Sequence, residues 1–361
     1  MTWLIPYADL AAEYRDCQPA IDMAMQRCIA NSTFINGPEV VEFEHDWADY
    51  TLEQDCAGVS SGTSALMLAL STLGIGPGDE VIVPTMSFIS TAEVVSQLGA
   101  RPVFVDIDQY HTMDIHKIPE AMSLRTRAII FVDLYGQTLD IAGLHDVAEG
   151  VPLIRDAAQS AGSSYAGSTD ERVHATCWSF YPGKNLGAMG DAGAVTGSVE
   201  VCERIRFLRD HGRREKYVHE AMGWNERLDG LQAAVLRAKL PMLDRWNQRR
   251  CQHAEIYHHR LANLGLGLPE ANHVSTHVYN QFVITVDQRD ALHSYLANLG
   301  TQCGIQFPLA MHQQPVYRGY RYHLPRAERL AATCLSLPVH AQLGFEQIHT
   351  VCDQIAEFIS G

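Results

Sequence analysis

The sequence predicts an α/β fold, with a large domain built on a mostly parallel β-sheet and a smaller α+β domain after it. Three observations predict it. Short β-branched apolar runs alternate with stretches of helical period, the pattern of β-α units. Those runs are apolar at consecutive positions, as in strands that helices cover on both faces. The chain has 361 residues, long for one domain and sufficient for a large and a small one.

In chain order, "SSGTSALMLALSTL" (60–73) reads as a turn and then a helix, because Ser and Thr stand where helix caps stand and an apolar run follows. "DEVIVP" (79–84) and "RPVFVD" (101–106) are strands bounded by Pro, Gly and Asp, and "AIIFVDL" (128–134) and "VPLIRDA" (151–157) repeat the pattern. Helical stretches lie between them, as in "STAEVVSQLGA" (90–100) and "DIAGLHDVAEG" (140–150). A long helical pattern covers about 227–261, with Leu228, Leu231, Val235, Ala238 and Met242 at helical spacing. Pro241 should kink or break it, since proline lacks the N–H the helix needs. The domain boundary is placed there, giving a large domain with its N-terminal segment over 1–244 and a small C-terminal domain over 245–361. The latter holds "VYNQFVITV" (278–286), the helical "RDALHSYLANLG" (289–300) and a terminal helix. Neither an internal repeat nor a low-complexity segment is found.

Composition narrows the function. The formal charge of −15 repels nucleic acid and anionic membranes. It leaves room for a small anionic ligand, because local dipoles can hold one phosphate against the global field. No run of 18 apolar residues exists, so no membrane span is expected. "MTWLIPYADLAAEYRDC" lacks a basic region followed by an apolar core, so no secretory signal is expected. Nine cysteines occur without a C-x-x-C pair, which argues for reduced, packed thiols and a cytoplasmic location rather than a disulfide framework or structural zinc.

Three features carry chemistry. In "SSGTSAL" (60–66), glycine lets backbone approach a ligand, and the helix start offers free N–H groups and a positive dipole end, which suits a phosphate. An ordinary capped helix would read the same way. Asp156 ends the run "VPLIRDA", and in open parallel sheets ligands bind at the carboxyl ends of strands; the ordinary alternative is a helix cap. Gln159 follows three residues on. In "CWSFYPGKNLGAMGDAGAV" (177–195), Lys184 sits between Gly183 and Gly187 after an aromatic stretch. A lysine held in a poorly solvated pocket has a lowered pKa and becomes a nucleophile toward a carbonyl. Ser179 is within reach of the same pocket if "CWSF" ends a strand. A phosphate cradle, a strand-end aspartate and a pocket lysine, in that order, are the parts that a pyridoxal 5'-phosphate site needs.

Beyond these features, "SGTSALMLALSTLGIGPGDEVIVP", "ARPVFVDID", "DAAQSAGSSY", "SFYPGKNLGAMGDAGAV" and "GWNERLDGLQAAVLRAKL" occur in one order. With "HVYNQFVI", "MHQQPVY" and "CLSLPVH", they resemble the DegT/DnrJ/EryC1/StrS family of nucleotide-sugar aminotransferases over nearly the whole chain. The resemblance implies a fold-type I enzyme with a seven-stranded, mostly parallel sheet, working as a homodimer. It implies transfer of an amino group, usually from L-glutamate, to a keto-sugar attached to a nucleoside diphosphate. Lys184 would carry the cofactor's aldehyde as an imine and shuttle protons, and Asp156 would pair with the pyridine nitrogen. Gln159 would bond the phenolate oxygen, Phe88 would stack on the ring, and Gly62, Thr63 and Ser179 would bind the phosphate. Asn225, in "GWNER", matches an asparagine that reaches the partner's phosphate, so each site would need two chains. Tyr181, Arg214, Tyr217, His312 and Tyr317 fall in segments near the substrate.

Departures bear on the substrate. Where the family often has His-Tyr-Pro, this chain has Ile305, Gln306, Phe307 and Pro308, a segment that the resemblance places close to the sugar. The "GDAGA" at 190–194 stands for the common "GDGGA". A dehydratase branch carries His in place of the lysine, and Lys184 argues against it. "GWNERLDGLQAAVLRAKL" and the short length lean toward amination at carbon 3 of a dTDP-linked 6-deoxy sugar, with carbon 4 or a UDP-sugar as alternatives. Other readings fare worse. "GIGPGDE" (74–80) lacks the dinucleotide-binding spacing and precedes a strand. Asp106 and Asp108, and the adjacent His258 and His259, form no spaced metal-ligand set. A non-catalytic binding paralogue is opposed by the joint presence of Lys184, Asp156 and Gln159.

Overall fold

The computed structural model describes residues 3–165 and 172–361. Its centre is a seven-stranded sheet made of β1 (Asp55–Val59), β2 (Glu80–Pro84), β3 (Arg101–Val105), β4 (Thr126–Val132), β5 (Leu153–Asp156), β6 (Val173–Ser179) and β7 (Gly193–Gly197). The order is β1-β7-β6-β5-β4-β2-β3, with β7 antiparallel to both neighbours and the remaining pairs parallel. The mostly parallel sheet is therefore present, and the four strands read from the sequence are its β2 to β5.

Helices cover the sheet as its apolar runs require. They are α1 (Leu10–Asn31), α2 (Pro38–Thr51), α3 (Gly62–Thr72), α4 (Ser90–Gln97), α5 (Ile118–Ala121), α6 (Ile141–Val147) and α7 (Val199–Leu208), followed by α8 (Gly230–Lys239) and α9 (Leu243–Leu261). One apolar cluster joins α3, α4 and α7 to the sheet through Leu68, Val83, Val94, Ile130, Val195 and Ile205. On the other face, Phe43 and Trp47 of α2 pack edge-on against Phe180, just after β6. Pro241 breaks the long helical pattern as expected, placing a 3-10 turn, Leu240–Met242, between α8 and α9.

A short hairpin, β8 (Arg213–Glu215) and β9 (Val218–His219), stands apart from the sheet with mostly exposed residues. The C-terminal part holds the antiparallel pair β10 (Phe282–Thr285) and β11 (Cys334–Leu337), with α10 (Arg289–Asn298), α11 (Pro325–Thr333) and α12 (Phe345–Ser360). Its own core contains Leu261, Phe282, Ile284, Leu335 and Val351, and Ile5 belongs to it as well. Ile5 pairs with Thr301, so the first described residues pack with the C-terminal unit rather than with the large one.

Candidate active site

The site assembles at the carboxyl ends of the parallel strands. Ser61 caps α3, its side chain accepting from the Ser64 N–H, and the helix begins at Gly62 and Thr63. First-turn amides have no partner inside a helix, so this end presents free donors and a positive dipole. Gly62 is required there, because a Cβ would stand 2.7 Å from the Ser179 Cβ. Gly193, at the start of β7, lies so close to the Ser61 carbonyl that a side chain would strike the backbone. The cradle is thus a contact between α3 and the ends of β6 and β7.

Asp156 ends β5 and is buried. No helix follows it, so the helix-cap alternative is set aside. Its Oδ1 accepts from the Ala158 N–H at 3.2 Å and its Oδ2 accepts from the Thr91 hydroxyl at 3.0 Å. Burial pushes its carboxyl up to about 6, against the opposing pull of those donors and of Lys184. Lys184 lies in a turn closed by bonds from Lys184 N to the Tyr181 carbonyl and from Ala188 N to the Phe180 carbonyl. Burial lowers its ammonium from 10.5 to about 8, and the nearby Asp156 charge partly offsets this. Among the described residues, no hydrogen bond or ion pair holds its Nζ. Gly187 is needed in this turn, since a Cβ would collide with the Pro182 carbonyl. Gly183 is not, because a Cβ there meets only the Tyr181 ring, at 3.9 Å.

Gln159 is buried, and its Oε1 accepts from the Tyr135 N–H at 2.7 Å. That bond fixes the amide's orientation and leaves its NH₂ with donors to spare. Phe88 is 56 % exposed, unusual for phenylalanine, and faces the Phe307 ring at 6.2 Å. The residues around it tie the parts together. Ser90 hydrogen-bonds Thr63 at 2.7 Å, Ser87 bonds Thr91 at 2.9 Å, and Thr91 holds Asp156. One segment, 87–91, therefore reaches the cradle, the aromatic face and the acid. Sequence reasoning took only Phe88 from it, because Ser and Thr hydroxyls carry no motif until tertiary contacts give them partners.

A pyridoxal phosphate group fits these residues. The donor set suits its phosphate, and among the described residues the Gln159 NH₂ and the Lys184 amine have no partner, which leaves one to meet an oxyanion and the other as the nucleophile an aldehyde requires.

Asn225 is exposed and borders a cleft of about 450 Å³ with Ser60, Gly190 and Arg227. A larger cleft, about 1030 Å³, is lined by Asp108, Thr285, Arg326 and Arg329 and shares no residue with the cofactor set. Tyr181 is 59 % exposed beside the lysine turn. Arg214 and Tyr217 lie on the β8–β9 hairpin, Arg214 paired with Glu220 at 3.1 Å. His312 and Tyr317 are turned into the fold. The His312 ring is buried, with Nδ1 on the Thr85 hydroxyl at 2.7 Å and Nε2 on Glu328 at 3.2 Å. Tyr317 is buried edge-on against Phe104, its hydroxyl on Ser96 at 3.1 Å. Both side chains are buried and hydrogen-bonded within the fold.

A family model described as the DegT/DnrJ/EryC1/StrS aminotransferase family matches residues 16–356. The chain belongs to that family. It is 42 % identical to the dTDP-3-amino-3,4,6-trideoxy-alpha-D-glucose transaminase of Streptomyces venezuelae, over 98 % of this chain and 96 % of the relative. It is also 40 % identical to the UDP-N-acetyl-3-dehydro-alpha-D-glucosamine 3-aminotransferase of Acidithiobacillus ferrooxidans, over 99 % of this chain and 98 % of that one. The crystal structure of S. venezuelae DesV in complex with a ketimine intermediate superposes with a TM-score of 0.96 at 40 % identity, covering 100 % of both chains. The seven-stranded fold-type I architecture implied by the sequence is the observed one.

Proposed function

We propose that this aminotransferase moves an amino group from L-glutamate to carbon 3 of a dTDP-linked 3-keto-6-deoxyhexose, using pyridoxal 5'-phosphate. When bound, the cofactor supplies an electron sink that stabilises the carbanion left when a proton departs. The chain's own residues do the rest. The amides of Gly62 and Thr63 and the Ser179 hydroxyl hold the phosphate. The partner subunit's Asn225 completes that cradle, so the active form is a homodimer. Asp156 would face the pyridine nitrogen, where its carboxylate would hold the nitrogen protonated and that cation would in turn favour the carboxylate. Gln159 donates to the phenolate oxygen, and Phe88 covers one face of the ring.

Lys184 Nζ is the nucleophile and the proton carrier. With a pKa of about 8 in the unloaded protein, roughly a tenth of it is neutral at pH 7, far more than of a solvated lysine. Phe307 borders the sugar, Tyr181 lies beside the lysine turn, and Arg214 and Tyr217 meet the diphosphate, which an arginine fork suits.

The transaminase chemistry is supported by a buried strand-end carboxylate beside a lysine amine that has no partner among the described residues, and the choice of sugar by the 42 % identical dTDP-sugar transaminase. The test is to incubate the protein, pyridoxal phosphate and L-glutamate with dTDP-3-keto-6-deoxyglucose and follow the sugar by mass spectrometry. Replacement of its carbonyl by an amine is expected. A second reading, a UDP-linked 3-keto-sugar, is favoured by the Acidithiobacillus relative at nearly the same identity. Faster amination of a UDP-linked 3-keto-sugar, or of the 4-keto isomer, would replace the dTDP-3-keto assignment.

A further inference from the structure

Tyr135 lies beyond β4, in the 3-10 turn Leu134–Gly136, and no motif points to it. Its φ is 63° and its ψ −5°, in the left-handed region. A bulky residue rarely adopts that backbone and keeps it only where its surroundings hold it. Three groups of this residue are held. The N–H donates to Gln159 Oε1 at 2.7 Å, and the carbonyl accepts from the Gln281 N–H at 3.3 Å. The hydroxyl donates to the Gln306 carbonyl at 2.6 Å. The residue is 3 % exposed, and its ring meets His111 edge-on at 5.9 Å.

These bonds run to different parts of the molecule. Gln159 is in the turn after β5 and offers its NH₂ to the cofactor position. Gln306 precedes Phe307, whose ring faces Phe88. The left-handed φ sets the angle between the N–H and the side chain, so one residue can reach both partners. Rotation to the right-handed region would swing the side chain relative to the N–H and break one bond or the other.

We propose that Tyr135 is a positioning residue that ties the cofactor-facing amide of Gln159 to the segment 305–308, and so holds Phe307 as a wall of the substrate pocket opposite Phe88. The tie stands on the bonds described; its meaning for substrate rests on the transaminase reading above.

Tyr135→Phe keeps the buried ring and the backbone N–H and removes only the bond to Gln306. Hydrogen–deuterium exchange on the pyridoxal phosphate-loaded protein reads the tie without any substrate. Exchange over 304–309 is expected to quicken by about fivefold to tenfold, the loss of one hydrogen bond, while 156–162 stays unchanged. Pyridoxal phosphate affinity should stay within about twofold. With dTDP-3-keto-6-deoxyglucose, KM should rise about fivefold and kcat hold within about twofold, the split that marks lost ground-state positioning. Unchanged exchange over 304–309 overturns the proposal. So does faster exchange across the whole chain, which would make Tyr135 a stability residue only. Faster exchange over 304–309 alone, in a protein whose wild type aminates no keto-sugar, supports the tie and overturns the transaminase reading.

Discussion

Lys184 and Asp156 show what single residues contribute, because burial moves their pKa values toward each other. The lysine falls to about 8 and the aspartate rises to about 6. Only the neutral amine attacks an aldehyde. The rate at which unloaded protein captures pyridoxal phosphate is therefore expected to rise with pH and level off above about 8, as stopped-flow absorbance would record. A flat profile between pH 6 and 9 would mean that Lys184 is not the capturing group. Thr91 supports the charged form of Asp156 with a hydroxyl donor. Thr91→Val should push the Asp156 pKa of the unloaded protein further up, which carboxyl titration followed by NMR would record as a shift to higher pH. Lys184 and Asp156 were legible in the sequence because their local contexts, a glycine turn and a strand end, already suggest a pocket. Thr91 and Tyr135 were not, because their partners lie 65 and 24 residues away and only folding brings them together.

At the scale of elements, the lysine turn is clamped from several sides. Asn185, next to Lys184, donates to Asn247 of α9 at 2.6 Å and to the Val278 carbonyl at 3.1 Å, and accepts from Asn280 at 2.8 Å. Lys239, at the end of α8, donates to the Gly187 carbonyl and to Glu13 of α1, each at 2.7 Å. Asn185→Ala strands three buried polar groups, each costing about 1–3 kcal/mol, and should lower the melting temperature by several degrees and loosen cofactor binding. Calorimetry and a cofactor titration would check both. Gly62→Ala should weaken cofactor binding at least about tenfold while the fold persists, because its methyl pushes Ser179 out of the cradle. The strands β2 to β5 were readable from β-branched runs bounded by turn residues. Helix α1 was not, since Pro19 sits inside it and reads as a breaker. His312 and Tyr317 were named from the resemblance, and their buried partners Thr85, Glu328 and Ser96 could not be read from the sequence because folding alone brings them together.

Among its exposed apolar side chains the molecule presents Phe34, Ile35, Met189, Tyr217, Val218 and Met222, with Ile35 in the same cleft as Asn225. A second copy of the chain, seated there, would cover them and bring its Asn225 to the cradle. Mixed dimers test this. Lys184→Ala and Asn225→Ala proteins, each impaired alone, should regain activity when refolded together. One of the two sites then holds an intact lysine and an intact asparagine from different chains. Activity no higher than the sum of the separate variants would place Asn225 in its own chain's site. The central claim, that Lys184 holds pyridoxal phosphate in a working transaminase site, is tested most directly by an absorption spectrum of the loaded protein before and after L-glutamate. A band near the visible edge that moves to shorter wavelength with glutamate, and is missing in Lys184→Ala, is the expected result. A wild-type protein with no such band after incubation with pyridoxal phosphate, or a Lys184→Ala protein with the same band, would contradict the claim.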